Sequence, residues 1–169
     1  ADGSLTEQAV VLLESGELTV SGAFCLGDKG YGGLAQSGGT LWLPEYALIG
    51  AKADSYGDYR LQDGYISNKG TAPVLYDLTI GKKGHGRMLQ TGGFVNIYGS
   101  VVVGSVEGGW GTYEISGSNE VKLWADYLIV GAAGLGQFRQ SGGVCDIDHA
   151  VKIGRDAGGD GAYEMTGGL

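Results

Sequence analysis

The sequence predicts an all-β chain wound into a parallel β-solenoid. Three observations carry that prediction. Glycine supplies 35 of the 169 residues and proline only 2, which means many turns without the Gly-X-Y period or the proline of collagen. A short apolar run closing on glycine recurs six times, at Gly27, Gly50, Gly81, Gly104, Gly131 and Gly154. No stretch of a dozen residues has the apolar spacing of a helix, whereas period-two runs such as Gly111–Ile115 and Val121–Leu123 are frequent.

Taken in order, residues 1–16 read as an N-terminal strand or cap segment. Within it, Leu5 to Leu13 is either a strand or a short cap, and Ala9–Leu13 is the longest apolar run in the chain at five residues. Residues 17–169 read as solenoid repeats, the last of them incomplete. The marker glycines are separated by 23, 31, 23, 27 and 23 residues, so half-repeats of 23 and of 27–31 residues alternate. The 23-residue kind carries a small glycine loop and then Gln-Ser/Thr-Gly-Gly, at Gln36–Gly39, Gln90–Gly93 and Gln140–Gly143. The longer kind carries Gly-x-Tyr, ending at Tyr59, Tyr113 and Tyr163. Both markers repeat after 54 and then 50 residues. Glycine recurs at corners because positive φ is costly for other residues. Coils of this length with about three short strands fit a solenoid of about six coils, stacked about 4.8 Å apart with one continuous apolar core.

The chain carries 19 acidic against 11 basic residues, for a net charge of −8. That balance excludes nucleic acid and a polybasic membrane anchor as partners, because both require clustered Lys and Arg. No apolar run is long enough to cross a bilayer as a helix. Cys25 and Cys145 stand 120 residues apart, about five coils or roughly 24 Å, far beyond disulfide reach. Cys25, in an apolar strand, is expected in the core. No catalytic triad pattern, metal-spaced His/Cys set or phosphate loop is present. No catalytic residue, metal or cofactor is therefore expected.

The candidate binding residues are Tyr59, Tyr113, Tyr163, Asp146, Asp148 and His149. The tyrosines recur once per double repeat. Buried, they pack with their hydroxyls bonded; exposed, they form a ladder that sugars can stack on. Packing is the favoured alternative. Asp146 and Asp148 share one face of a strand with His149 beside them, which suits acid–base work or Ca²⁺, but a solvated outer face is the plainer reading. Trp42, Trp110 and Trp124 do not share one repeat position, which weakens the idea of a carbohydrate groove. Gly108–Gly111 and Gly158–Gly161 resemble the start of a calcium-binding nonapeptide, but the ligand position holds Tyr113 and Tyr163. Gly84-His85-Gly86 is similar to the Gly-His-Gly of β-helical polygalacturonases, yet the aligned loops carry Tyr31 and Leu135, which makes it a variable tip.

Gly81 to Gly93 and Gly131 to Gly143 follow the pattern apolar-x-Ile/Val-Gly-x-x-Gly-x-Gly-x-apolar-x-x-Ser/Thr-Gly-Gly. Through these residues the chain resembles the glycine-rich repeats of type V secretion autotransporter passengers and PEP-CTERM-associated bacterial surface proteins, over about Glu17 to Leu169. The Gly50 half-repeat departs from it with an insertion near Asn68–Pro73. The resemblance implies an exported bacterial β-solenoid, right-handed as strand chirality also suggests. It further implies an extracellular or cell-surface place and use as a stalk, fibre or adhesin, with no catalytic residues. The two ends read as complementary, so Glu17, Leu18, Thr19 and Val20 are expected to meet Thr166, Gly167, Gly168 and Leu169 of another copy, head to tail. The expected partner is the chain itself or the rest of a longer parent chain, with surface glycans as a further candidate. The alternative function is a polysaccharide-binding or polysaccharide-cleaving β-helix. An ice-binding solenoid ranks last, since no Thr-x-Thr ladder is present.

Overall fold

The computed structural model describes residues 9–44, 46–68 and 77–169. Among them are fourteen strands and no helix: β1 (Ala9–Leu13), β2 (Glu17–Thr19), β3 (Phe24–Leu26), β4 (Tyr31–Leu43), β5 (Tyr46–Ile49), β6 (Tyr56–Asn68), β7 (Asp77–Ile80), β8 (His85–Gln90), β9 (Phe94–Val103), β10 (Trp110–Ile115), β11 (Lys122–Val130), β12 (Leu135–Ser141), β13 (Val144–Ile153) and β14 (Asp160–Gly167). All pairings are parallel. They sort into three ladders, because each turn of the chain contributes one rung to each, the long strands bending across a corner to serve two. This is the β-solenoid that the composition and repeats predict.

The first ladder runs β1, β4, β6, β8, β10, β12, β14. The second runs β2, then the second half of β4, the second half of β6, and the first halves of β9, β11 and β13. The third runs β3, β5, β7 and the second halves of β9, β11 and β13. Pairing begins at Ala9, where β1 lies in register with Gly32 to Gln36. The solenoid thus starts before Glu17, and residues 9–13 are its first rung rather than a separate cap. The rest of the Leu5–Leu13 segment, and most of the Asn68–Pro73 insertion, lie outside the described residues.

Register removes most of the apparent alternation in repeat length. Positions equivalent to Tyr31 are Tyr56, His85, Trp110, Leu135 and Asp160. Coils are therefore 25 residues long except for the one from Tyr56 to His85, which has 29. The rest of the variation lies in the corner after each marker glycine, which holds two more residues in every second coil. Those marker glycines all have positive φ, from 62° to 74°. The second glycines of the Ser/Thr-Gly-Gly tetrads, Gly39, Gly93 and Gly143, have φ of 68° to 72° at the next corner.

Strand alternation puts one set of side chains in the core. Leu18, Leu41, Ile66, Val95, Leu123 and Cys145 line up on the second ladder. Leu26, Ile49, Ile80, Val103, Val130 and Ile153 line up on the third. Most of these are fully buried and belong to one continuous cluster. Phe24 and Leu26 point inward, so Cys25 between them points out and is exposed. That corrects the expected core position: an apolar strand of three residues still has an outward side. Cys145 is half-buried, and both thiols are free.

Candidate functional site

The three tyrosines of the double repeat point inward along the first ladder. Their column reads Val11, Leu34, Tyr59, Met88, Tyr113, Phe138, Tyr163. Two residues along lies a second column: Leu13, Gln36, Leu61, Gln90, Ile115, Gln140, Met165. Each tyrosine donates its hydroxyl to the glutamine of the preceding coil. Tyr59 donates to Gln36, Tyr113 to Gln90 at 2.6 Å and Tyr163 to Gln140 at 2.7 Å. The glutamine amides donate in turn to corner carbonyls: Gln90 to Gly93 at 3.2 Å and to Lys122 of the next coil at 2.9 Å. Gln36 and Gln140 repeat this with Gly39 and Tyr65, and with Gly143 and Leu169. A buried polar group is tolerated when it is hydrogen-bonded, and these are.

Tyr59 and Tyr113 are therefore core residues and offer no ring to a ligand. Tyr163, on the last rung, is half-buried. The double repeat is the period of this Tyr–Gln pairing, one partner per coil.

Burial pushes the phenols of Tyr59 and Tyr113 far above their ordinary value. Burial, and then Cys145 beside it, pushes Tyr163 up to about 12. A raised phenol stays neutral when folded, whereas the unfolded side chain ionises near pH 10. Stability is thus intact below pH 10 and falls above it, by about 1.4 kcal/mol per pH unit for each of Tyr59 and Tyr113. Alkaline titration is expected to show the exposed phenols ionising first, and the last phenolate absorbance appearing together with loss of β circular dichroism in one cooperative step. Full ionisation with the β signal intact contradicts this.

Asp146, Asp148 and His149 are exposed. Cys145 and Ile147 pack against the core from the other side of the strand. Asp146 lies in register with Trp124. After Ile147 the ladder shifts: Ala125 pairs with Ile147, but Tyr127 pairs with Ala150. Asp148 and His149 thus oppose the single residue Asp126, as in a bulge. Ligand atoms of Asp126, Asp148 and His149 lie within 4.8 Å of one another. His149 Nδ1 is 3.6 Å from Asp148 Oδ2, and the imidazole stacks on Tyr127 at 5.1 Å. Asp126 is not legible as a member from the sequence, because its proximity depends on that bulge.

A second surface feature is only half visible in the sequence, which aligns Tyr31, His85 and Leu135 but not Tyr56 and Trp110. The outward position that opens the first ladder carries Tyr31, Tyr56, His85, Trp110 and Leu135 in successive coils. Ring centroids are 5.5 Å apart for Tyr31–Tyr56, 6.4 Å for Tyr56–His85 and 5.1 Å for His85–Trp110. His85 is a tip, as its aligned loops suggest, but a tip within a ring column. The corner that varies by two residues hides this alignment, since Tyr31 follows its marker glycine by four residues and Tyr56 by six. Beside it run Asp58, Arg87, Thr112 and Gln137, then Arg60, Leu89, Glu114, Arg139 and Glu164. Acid and guanidinium alternate along this face: Arg60–Asp58 at 2.8 Å, Arg87–Glu114 at 3.7 Å, Arg139–Glu114 at 3.9 Å and Arg139–Glu164 at 3.6 Å.

On the second ladder, Trp42 and Trp124 share one outward column through Ser67 and Asn96. Two of the three tryptophans thus share a register position, and Trp110 stands apart on the first ladder. Tyr65 and Phe94 pack beside them, with Trp42–Tyr65 at 5.7 Å and Tyr65–Phe94 at 5.5 Å.

The two ends differ. β2 and β3 each pair on one side only among the described residues. Glu17–Thr19 is thus an edge, and Val20 donates inward to Trp42. At the other end Thr166 and Gly167 belong to β14, with Gly167 in register with Ser141. Leu169 donates to Gly143 and accepts from Cys145, so Gly168–Leu169 opens the next rung of the second ladder. Comparison with known proteins yields no matching family model, no matching curated protein and no matching solved structure.

Proposed function

We propose that the chain is a structural β-solenoid of a bacterial cell surface or exterior. It acts as a fibre or stalk element, or as an adhesin, that lengthens by stacking coils end to end. The observation that supports this is the state of the last coil. Ile153 is 51% exposed, whereas Val130 and Val103, in the same column one and two coils earlier, are fully buried. Val151 repeats the pattern against Leu128 and Val101. Each of these is an inward position with no coil above it, flanked by strands paired on one side. Apolar columns and open backbone edges of that kind match another β-coil better than they match water.

A second copy, or the rest of a longer parent chain, supplies such a coil. In a second copy, β2 and β3 extend the second and third ladders, and β14 of the first copy takes the place of the newcomer's β1. This is a head-to-tail contact that repeats without closing and so builds filaments. The exported setting is supported by the resemblance of the repeats. The polysaccharide-cleaving alternative draws on the exposed Asp146, Asp148 and His149, with Asp126 beside them.

Light scattering across a dilution series tests the stacking. The wild-type protein is expected to gain mass with concentration, and Ile153→Lys to abolish that gain while leaving the β circular dichroism unchanged. Association that is equal in the variant contradicts stacking through this end.

A further inference from the structure

We propose that the outer face of the first ladder binds an extended, uncharged polysaccharide lying along the solenoid axis, with Trp110 as its stacking platform. This site is separate from the coil ends and does not depend on stacking.

Three features of that face converge. Rings at Tyr31, Tyr56, His85 and Trp110 form a continuous column, one per rung, with centroids 5.1 to 6.4 Å apart. Within it Tyr31 and Tyr56 lie parallel, at 7°. Trp110, by contrast, is tilted 51° out of the stack against His85 and is 45% exposed. The indole is thus exposed between His85 and Leu135 of the neighbouring coils, and the C–H face of a pyranose packs on an exposed aromatic ring. Clefts open on both sides of it. One is lined by Tyr56, His85, Arg87 and Thr112, the other by Glu107, Gly109 and Leu135.

The second feature is hydrogen-bonding capacity with one vacancy. Asp58 is 5% exposed, and its Oδ2 accepts from Arg60. Its Oδ1 is buried without any hydrogen-bond partner, and Arg87 Nη1 stands 4.0 Å from it, beyond hydrogen-bond reach. A buried carboxylate oxygen in that state is costly and calls for a donor. Asp58 lies in register with Arg87 and lines a cleft with Tyr31 and Arg60. When the exposed Arg60 side chain swings aside, a sugar hydroxyl in this cleft supplies the missing donor and brings its ring against Tyr31.

Charge selects the class of polymer. Asp58, Glu114 and Glu164 stand against Arg60, Arg87 and Arg139 on this face, and Glu107 and Asp160 at its border leave it net acidic. Each guanidinium already faces a carboxylate, so no free cation remains for a phosphate or uronate backbone. Neutral hydroxyls, which both donate and accept, match the alternating acid and guanidinium groups.

Affinity electrophoresis of the full chain tests this, in native gels containing soluble neutral β-glucan, xylan or mannan, with polygalacturonate as the charged comparison. At least one neutral polymer is expected to retard the protein. Trp110→Ala is expected to weaken that retardation tenfold or more, and Asp58→Asn several-fold. Trp124→Ala, on the other ladder, is expected to leave it unchanged, and circular dichroism shows whether each variant is folded. Where Asp58→Asn fails to fold, Thr112→Val serves in its place and is expected to weaken retardation too. The proposal is overturned if no neutral polymer retards the wild type. It is equally overturned if polygalacturonate retards it most, or if folded Trp110→Ala binds as well as wild type.

Discussion

Gly81→Ala is expected to destabilise the fold by about 3 kcal/mol or more, which lowers the melting temperature by about 6–12 °C in a chain of this size. Two separate costs add. Gly81 has φ of +73°, a conformation that a residue with a Cβ adopts only under strain. Its Cβ would also lie 2.2 Å from the carbonyl carbon and oxygen of Trp110, on the rung above. That neighbour is backbone held in the first ladder, so it has nowhere to move without parting two coils. Gly104 is built alike, 2.2 Å from the carbonyl oxygen of Leu135. Gly158 provides the control, with φ of +82° and nothing within 4 Å of where a Cβ would lie. Gly158→Ala thus bears only the conformational cost, about 1–2 kcal/mol. Thermal melts of the two variants separate crowding from strain, and equal losses contradict the stacked-corner geometry.

Removing both partners of the internal Tyr–Gln pairing is expected to cost less than the sum of removing each. Gln90→Leu leaves the Tyr113 hydroxyl without its acceptor inside a dry core, and it strips one donor from the carbonyls of Gly93 and Lys122. The expected loss is about 2–3 kcal/mol, and Tyr113→Phe, which leaves the glutamine oxygen unpaired, loses about 1–3 kcal/mol. The double variant is expected to be more stable than the sum of these losses implies by about 1 kcal/mol or more. The fold already contains the apolar solution: Leu61 and Ile115 occupy the same column one rung to either side of Gln90 and are fully buried. Denaturant melts of the four proteins close the cycle, and strict additivity contradicts the pairing.

What is legible in the sequence follows from what repeats locally. The marker glycines and the Gln-Ser/Thr-Gly-Gly tetrads fix the corners, because positive φ leaves a residue-type signature. Valine, leucine and isoleucine at alternating positions fix which side of each strand faces in. Inward packing of Tyr59 and Tyr113 is the reading that their recurrence favours, since a residue recurs at one repeat position for a structural reason as readily as for a functional one. The outer columns are hidden. Tyr31, Tyr56, His85 and Trp110 spell one rung position with three residue types, and the corner before them changes length from coil to coil. Trp42 and Trp124 join through Ser67 and Asn96, which share no chemistry with them. Asp126 meets Asp148 and His149 only because the ladder slips at a bulge. Such neighbours are made by register, which a linear pattern does not display.

Electron micrographs of the purified protein, negatively stained over a range of concentrations, bear most directly on the open end of the solenoid. About six coils at the spacing of parallel strands give a unit roughly 30 Å long. The expected image is a population of thin, unbranched rods many units long, which shorten on dilution and vanish in Ile153→Lys. Uniform particles a single unit long at every concentration would contradict end-to-end stacking.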